Sequence, residues 1–107
     1  MADLHPQEVR TYRFEAEGLD PITVYVEQYS PGRSRVIIRC YARAWTAYWG
    51  AHGSGTVEQF FVGCNNDYLA DNLAWGFNDR MLKQYKKTDR QYLVRIINAI
   101  RAHWGHA

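Results

Sequence analysis

The hydrophobic period of the chain changes once, and that change constrains most of what it can fold into. From Val9 to Trp49 apolar residues alternate with polar ones, and from Tyr92 to Trp104 they recur at helical spacing. A period of two belongs to strands with one buried face, and a period near 3.6 to helices with one buried stripe. The loop Gly50-Ala51-His52-Gly53-Ser54-Gly55 ends the first regime. Strands first and helices afterwards predict an α+β fold: an N-terminal antiparallel sheet of three to four strands followed by two to four helices packed on one face. With 107 residues the chain is expected to be one domain, 1–107, with residues 1–8 as a loose N-terminal arm.

The alternation assigns faces. Val9–Glu17 sets Tyr12, Phe14 and Ala16 against Thr11, Arg13, Glu15 and Glu17. Ile22–Tyr29 turns Ile22, Val24 and Val26 inward. The Ser30-Pro31-Gly32-Arg33 turn leads to Arg35–Tyr41, with Val36, Ile38 and Cys40 inward. Arg43–Trp49 reads as a fourth strand or, since neither Gly nor Pro precedes it, as a bent continuation of the third. Pairing across Pro31-Gly32 would bring Glu27 and Tyr25 near Arg35 and Arg39.

After the glycine loop, Thr56-Val57-Glu58-Gln59 fits a capping box for a short helix with Phe60 and Phe61. Asn65-Asn66-Asp67 can cap a second helix, with Tyr68, Leu69, Ala70 and Leu73 inward and Trp75-Gly76 closing it. Residues 77–87 are ambiguous: Phe77, Met81, Leu82 and Tyr85 have helical spacing, but Lys86-Lys87 interrupts them. Thr88-Asp89-Arg90-Gln91 forms a second capping box. It opens a helix whose stripe is Tyr92, Leu93, Ile96, Ile97, Ile100 and Trp104.

The net charge of +2 conceals blocks of opposite sign. Residues 1–27 carry −4, 28–57 carry +4, 58–79 carry −4 and 80–107 carry +6. The second block holds Arg33, Arg35, Arg39 and Arg43, no acid, and Tyr41, Trp45, Tyr48 and Trp49. Basic and aromatic side chains interleaved in this way suit an acidic protein surface or a nucleic-acid backbone. These eight residues are the candidate partner-binding surface. Glu27 and the acidic helical block could neutralise part of it. The Arg80, Lys83, Lys86, Lys87 and Arg90 cluster could extend it.

No motif declares a reaction: Walker, GxGxxG, CxxC, HExxH and GxSxG patterns are absent. Asp67 and Asp71, four apart, suit a helix N-terminus better than acid–base work. Cys64, near a helix start, lacks a neighbouring base, and His52, His103 and His106 match no metal-ligand spacing. The expectation is therefore a non-enzyme without metal or cofactor. Cys40 and Cys64 are expected to be reduced and at least partly buried. No apolar run reaches membrane-spanning length and no signal peptide is evident, so a cytoplasmic protein is expected.

The run from Tyr41 to Gly53, then Thr56–Phe61 and Asn66–Leu73, resembles small phage and prophage proteins of proteobacteria. Its most specific part is Ala44-Trp45-Thr46-Ala47-Tyr48-Trp49-Gly50. The resemblance spans roughly residues 9–104 and brings no functional residues with it. It implies an accessory protein acting in the bacterial host cytoplasm, of the kind that blocks a host machine; anti-CRISPR proteins are the best-known examples. The reading is an interaction protein inhibiting a host defence complex such as CRISPR–Cas, with a host protein or ribonucleoprotein complex as partner. The alternative is a nucleic-acid-binding accessory protein.

Overall fold

The computed structural model describes residues 5–74 and 87–105. Its elements are β1 (Glu8–Phe14), β2 (Ile22–Ser30), β3 (Arg33–Cys40), β4 (Arg43–Trp49), α1 (Val57–Gly63), α2 (Asn66–Ala74) and α3 (Lys87–Gly105). The four strands form one antiparallel sheet in sequential order, as short hairpin connections dictate. The fold is the α+β arrangement expected from the change of period, with the sheet at its four-strand limit.

Two turns set the strand registers. At Pro31-Gly32, Pro favours the first central position and Gly32 takes φ 79 at the second, the requirement of a type II turn. Gly32 is also approached by the glycine loop. A Cβ there would sit 3.1 Å from the Gly53 carbonyl, and the His52 N–H donates to Gly32 O at 2.9 Å. The Tyr41-Ala42 turn joins Cys40 to its partner Arg43. Residues 43–49 are thus a separate strand and not a bent extension of β3, although the turn lacks Gly or Pro. Tyr41 adopts φ 56 instead.

The inner sheet face presents Ile22, Val24, Val26, Val36, Ile38, Cys40, Trp45, Ala47 and Trp49 to the helices. Val57 and Phe61 of α1, Leu69, Ala70 and Leu73 of α2, and Leu93, Ile96, Ile97 and Ile100 of α3 complete this core. Thr56 caps α1 as expected, with both reciprocal bonds of the box present. Asn65 Oδ1 accepts from the Tyr68 N–H and caps α2. Tyr68 is exposed at the edge of the core rather than inward, its ring against Phe60, since the inward stripe of so short a helix is filled by Leu69, Ala70, Leu73 and Ala74.

Three further corrections concern ends. α3 includes Lys87, so Thr88 lies within its first turn and not ahead of it. Gln7 N donates to Gln28 O at 2.7 Å and Glu8 already pairs with Gln28, so part of the expected arm is tied to the sheet. β1 stops at Phe14, because Ala16 to Leu19 curl toward α3, where Arg95 donates to Gly18 O at 2.9 Å. Residues 77–86 of the ambiguous stretch 77–87, the helix end at Trp75-Gly76, and Arg80, Lys83 and Lys86 lie outside the described residues.

Candidate functional site

All three described helices lie on one face of the sheet, so no described helix covers the other, the bare face. Strand parity puts Val9, Thr11 and Arg13 of β1 on it, with Thr23, Tyr25, Glu27 and Tyr29 of β2. Arg33, Arg35, Ile37 and Arg39 of β3 and Ala44, Thr46 and Tyr48 of β4 complete it. The register arranges them in rows across the sheet: Arg13–Thr23–Arg39–Ala44, Thr11–Tyr25–Ile37–Thr46, and Val9–Glu27–Arg35–Tyr48. Within the strands this face holds four arginines and one acid, Glu27.

The arginines are not equivalent. Arg33 Nε donates to the Tyr48 hydroxyl at 3.0 Å. Arg35 lies over the Tyr48 ring, 5.4 Å from its centroid, donates to Thr46 Oγ1 at 3.4 Å, and reaches Glu27 Oε1 only at 3.9 Å. Glu27 instead accepts a 2.7 Å bond from the Tyr29 hydroxyl. Burial first, and then this carboxylate, push the Tyr29 hydroxyl pKa upward. Arg13 and Arg39 are exposed and make no ion pair, hydrogen bond or ring contact among the described residues.

Five of the eight expected surface residues sit on the bare face or its rim: Arg33, Arg35, Arg39, Tyr48 and, at the β3–β4 turn, Tyr41. Tyr48 is 39% and Tyr41 79% exposed. Three expectations are corrected. Trp45 and Trp49 are only 2% and 6% exposed; their parity points them into the core, where a large aromatic gains most by burial. Trp49 Nε1 donates to the Tyr68 hydroxyl at 3.0 Å. Arg43 shares their parity. It pairs with Asp89 of α3 at 3.1 Å and lies over the Trp45 and Tyr92 rings. Arg13 is the residue that the charge-block reading passed over. Its strand parity, outward beside Thr11, was the available signal.

The described helical acids do not neutralise the bare face. Glu58 binds Arg10, and Asp67 and Asp71 both bind Arg90 at 3.2 and 2.8 Å. These pairs and Arg43–Asp89 all involve residues on the helix side. The acid-bearing β1–β2 turn, with Glu17 and Asp20, also leans toward α3 through Arg95 and the packed Leu19.

A second polar cluster stands at the edge of the helix side, lining an open cleft of about 720 Å³. Arg10 donates to Glu58 at 2.6 and 2.8 Å, to Glu8 at 2.8 Å and to Gln28 at 3.1 Å, and the Tyr12 hydroxyl donates to Glu58 at 2.5 Å. Burial works against the Glu58 carboxylate, but the bonds from Arg10 and Tyr12 outweigh it and hold its pKa below the usual range. The side-chain donors to Glu58 among the described residues, Arg10 and Tyr12, both come from β1, so the cluster straps α1 to the edge strand.

The sequence candidates for chemistry are not brought together. His52 is buried, with Nε2 3.0 Å from Ser34 Oγ and Nδ1 without a partner. Ser34 is wholly buried, so the pair cannot present a nucleophile to solvent. Cys40 and Cys64 are free thiols. Cys40 donates to Asp20 O at 3.4 Å and accepts from the Tyr92 hydroxyl at 3.2 Å. That bond, with burial, pushes the Tyr92 pKa up to about 12. Burial raises the Cys64 pKa, the opposite of an activated thiol. Asp67 and Asp71 are exposed partners of Arg90, and His103 stacks on Phe14 with centroids 4.2 Å apart. Among the described residues no group of three or more His, Cys, Asp or Glu could hold a metal ion, and no helix is long and apolar enough to cross a membrane.

A phage protein family, Phage_phiTE_072, matches residues 3–81, about three quarters of the chain. The match covers the whole sheet, including its bare face, and the two short helices. No curated protein and no solved structure matches. The chain therefore belongs to this phage family.

Proposed function

We propose that this phage accessory protein is a non-enzymatic interaction protein acting in the host cytoplasm. It docks through the bare sheet face on a host protein or ribonucleoprotein complex. The observation that carries the reading is the charge of that face: Arg13, Arg33, Arg35 and Arg39 against Glu27, with the acids of the helix side held in pairs of their own. A surface of this kind favours a polyanionic partner and fast, salt-sensitive association. Arginine and tyrosine are also frequent anchors of binding hot spots. The host-directed part, with a defence complex such as CRISPR–Cas as the target class and inhibition by occlusion as the mode, draws on the phage family and on the resemblance noted above.

The test is affinity capture from host lysate with the wild-type chain and with a folded Arg33→Ala/Arg35→Ala/Arg39→Ala variant. A host complex retained by the first and lost by the second is the expected result. Equal retention by both would remove the bare face from the function. Direct binding to nucleic acid is the second reading, favoured by Arg13 and Arg39, which have no partner among the described residues.

A further inference from the structure

The β3–β4 turn combines three features that ordinary folding does not require. Tyr41 adopts φ 56, a conformation in which any residue but Gly, Asn or Asp is uncommon. In a two-residue hairpin this first central position is one that glycine fills without strain. The ring returns nothing to the fold: it is 79% exposed and makes no hydrogen bond, ion pair or ring contact among the described residues. Beside it, Arg39 and Arg13 are exposed and have no partner among the described residues. They flank Thr23 in one row, about 10 Å apart by two strand spacings. Strain and unpaired charge held together at one end of a bare sheet are features of a site whose partner is another molecule.

We infer that this end of the face binds single-stranded nucleic acid, with Tyr41 stacking on a base and Arg13 and Arg39 contacting phosphates of the same strand. The inference rests on the bare face being the working surface and names the chemistry it reads. The spacing of exposed rings and cations on this face favours an extended nucleic-acid strand over a compact acidic polypeptide. The exposed large apolar residues Val9, Tyr48 and Tyr41 are separated on β1, on β4 and at a turn, and Tyr25 and Ile37 in the middle of the face are half-buried. A strand of nucleic acid needs only cations along its backbone and an accessible ring, since every base has a face to stack. Arg33 and Arg35, tied to Tyr48, extend the positive track away from the turn. Glu15, two residues beyond Arg13, is an exposed acid near that end, and its charge opposes binding.

The experiment is fluorescence anisotropy of the full chain with oligo-dT and oligo-rU of about 15 nucleotides in about 50 mM salt, alongside a poly-glutamate peptide of equal charge. Both oligonucleotides are expected to bind, and the peptide much more weakly. Arg13→Ala and Arg39→Ala each weaken binding and each flatten the slope of log affinity against log salt by about 0.7. Tyr41→Gly weakens binding about tenfold while its Tm holds or rises by up to about 4 °C, because strain is relieved. Glu15→Gln strengthens binding. No oligonucleotide binding, equal binding of the peptide, unchanged affinity in Tyr41→Gly, or a Tm loss in Tyr41→Gly that shows the ring to be structural would each overturn the inference. The lysate capture above is independent: a host complex lost by the triple arginine variant would stand even if no oligonucleotide bound.

Discussion

The two faces of the sheet are made from the same four strands, one residue out of step, and they differ in almost everything else. On the inner face Val24, Ile38 and Trp45 meet three helices and exclude water. One residue along, Tyr25, Ile37 and Thr46 form the middle of a face that nothing in the described chain covers. Arginine shows the contrast most directly. Arg10 and Arg43, of inner parity, close ion pairs with Glu58 and Asp89 and so join the sheet to α1 and α3. Arg13 and Arg39, of outer parity, pair with nothing described. Residue type alone therefore does not say whether a cation serves the fold or a partner; parity within the strand does.

The largest expected effect tests the inner face. Trp45→Ala removes a buried indole and should cost about 3–5 kcal/mol in denaturant unfolding. Tyr48→Ala, on the same strand but the other face, should stay within about 1 kcal/mol. Equal costs would break the distinction between the faces.

Next is the strap at the edge. Arg10→Ala leaves a largely buried carboxylate without its cation and should cost about 2 kcal/mol at neutral pH. The sign of the pH dependence follows from the lowered Glu58 pKa. A carboxylate bound more favourably in the fold contributes its stability above its unfolded pKa, near 4.3. That stability is lost as pH falls through the lower folded value. Thermal unfolding of Glu58→Gln should lack this part of the acid-side decline, and an unchanged acid profile would show that the strap contributes little.

A smaller effect on stability is expected from Arg33→Ala/Arg35→Ala/Arg39→Ala. Exposed or half-exposed sites usually change stability by no more than about 0.5 kcal/mol each, so the triple variant should remain folded within about 1.5 kcal/mol. A larger loss in chemical denaturation would mean that the arginines over Tyr48 belong to the fold. The smallest effect concerns thiols. Cys64, with its raised pKa, should react more slowly than a free thiol in a chromogenic disulfide assay at neutral pH. Cys40, buried against Tyr92, should react only on unfolding.

Much of the fold was legible because local signals agreed. The alternation in 22–49 assigned the inward apolar residues of β2 and β3 but not the buried Ser34, and the Thr56 box placed the start of α1. The site was legible only in part. Arg33, Arg35, Arg39, Tyr41 and Tyr48 reach the bare face or its rim. Trp45, Trp49 and Arg43 were grouped with them by nearness in sequence, although alternation sends them to the other side. Arg13 was missed because it sits in an acidic block 26 residues before Arg39, and only the strand register makes them neighbours.

By itself the sequence determined the periods, and hence that strands come first, that one face of each is apolar, and that helices must cover it. Those are local properties of side-chain spacing. Tertiary structure alone decided that the three described helices lie on one side, that their described acids pair with Arg10, Arg43 and Arg90, and that the opposite face keeps its positive charge among the described residues. These outcomes depend on pairings between residues 19 to 48 positions apart. No short-range pattern encodes such distances, and the packing of the core sets them.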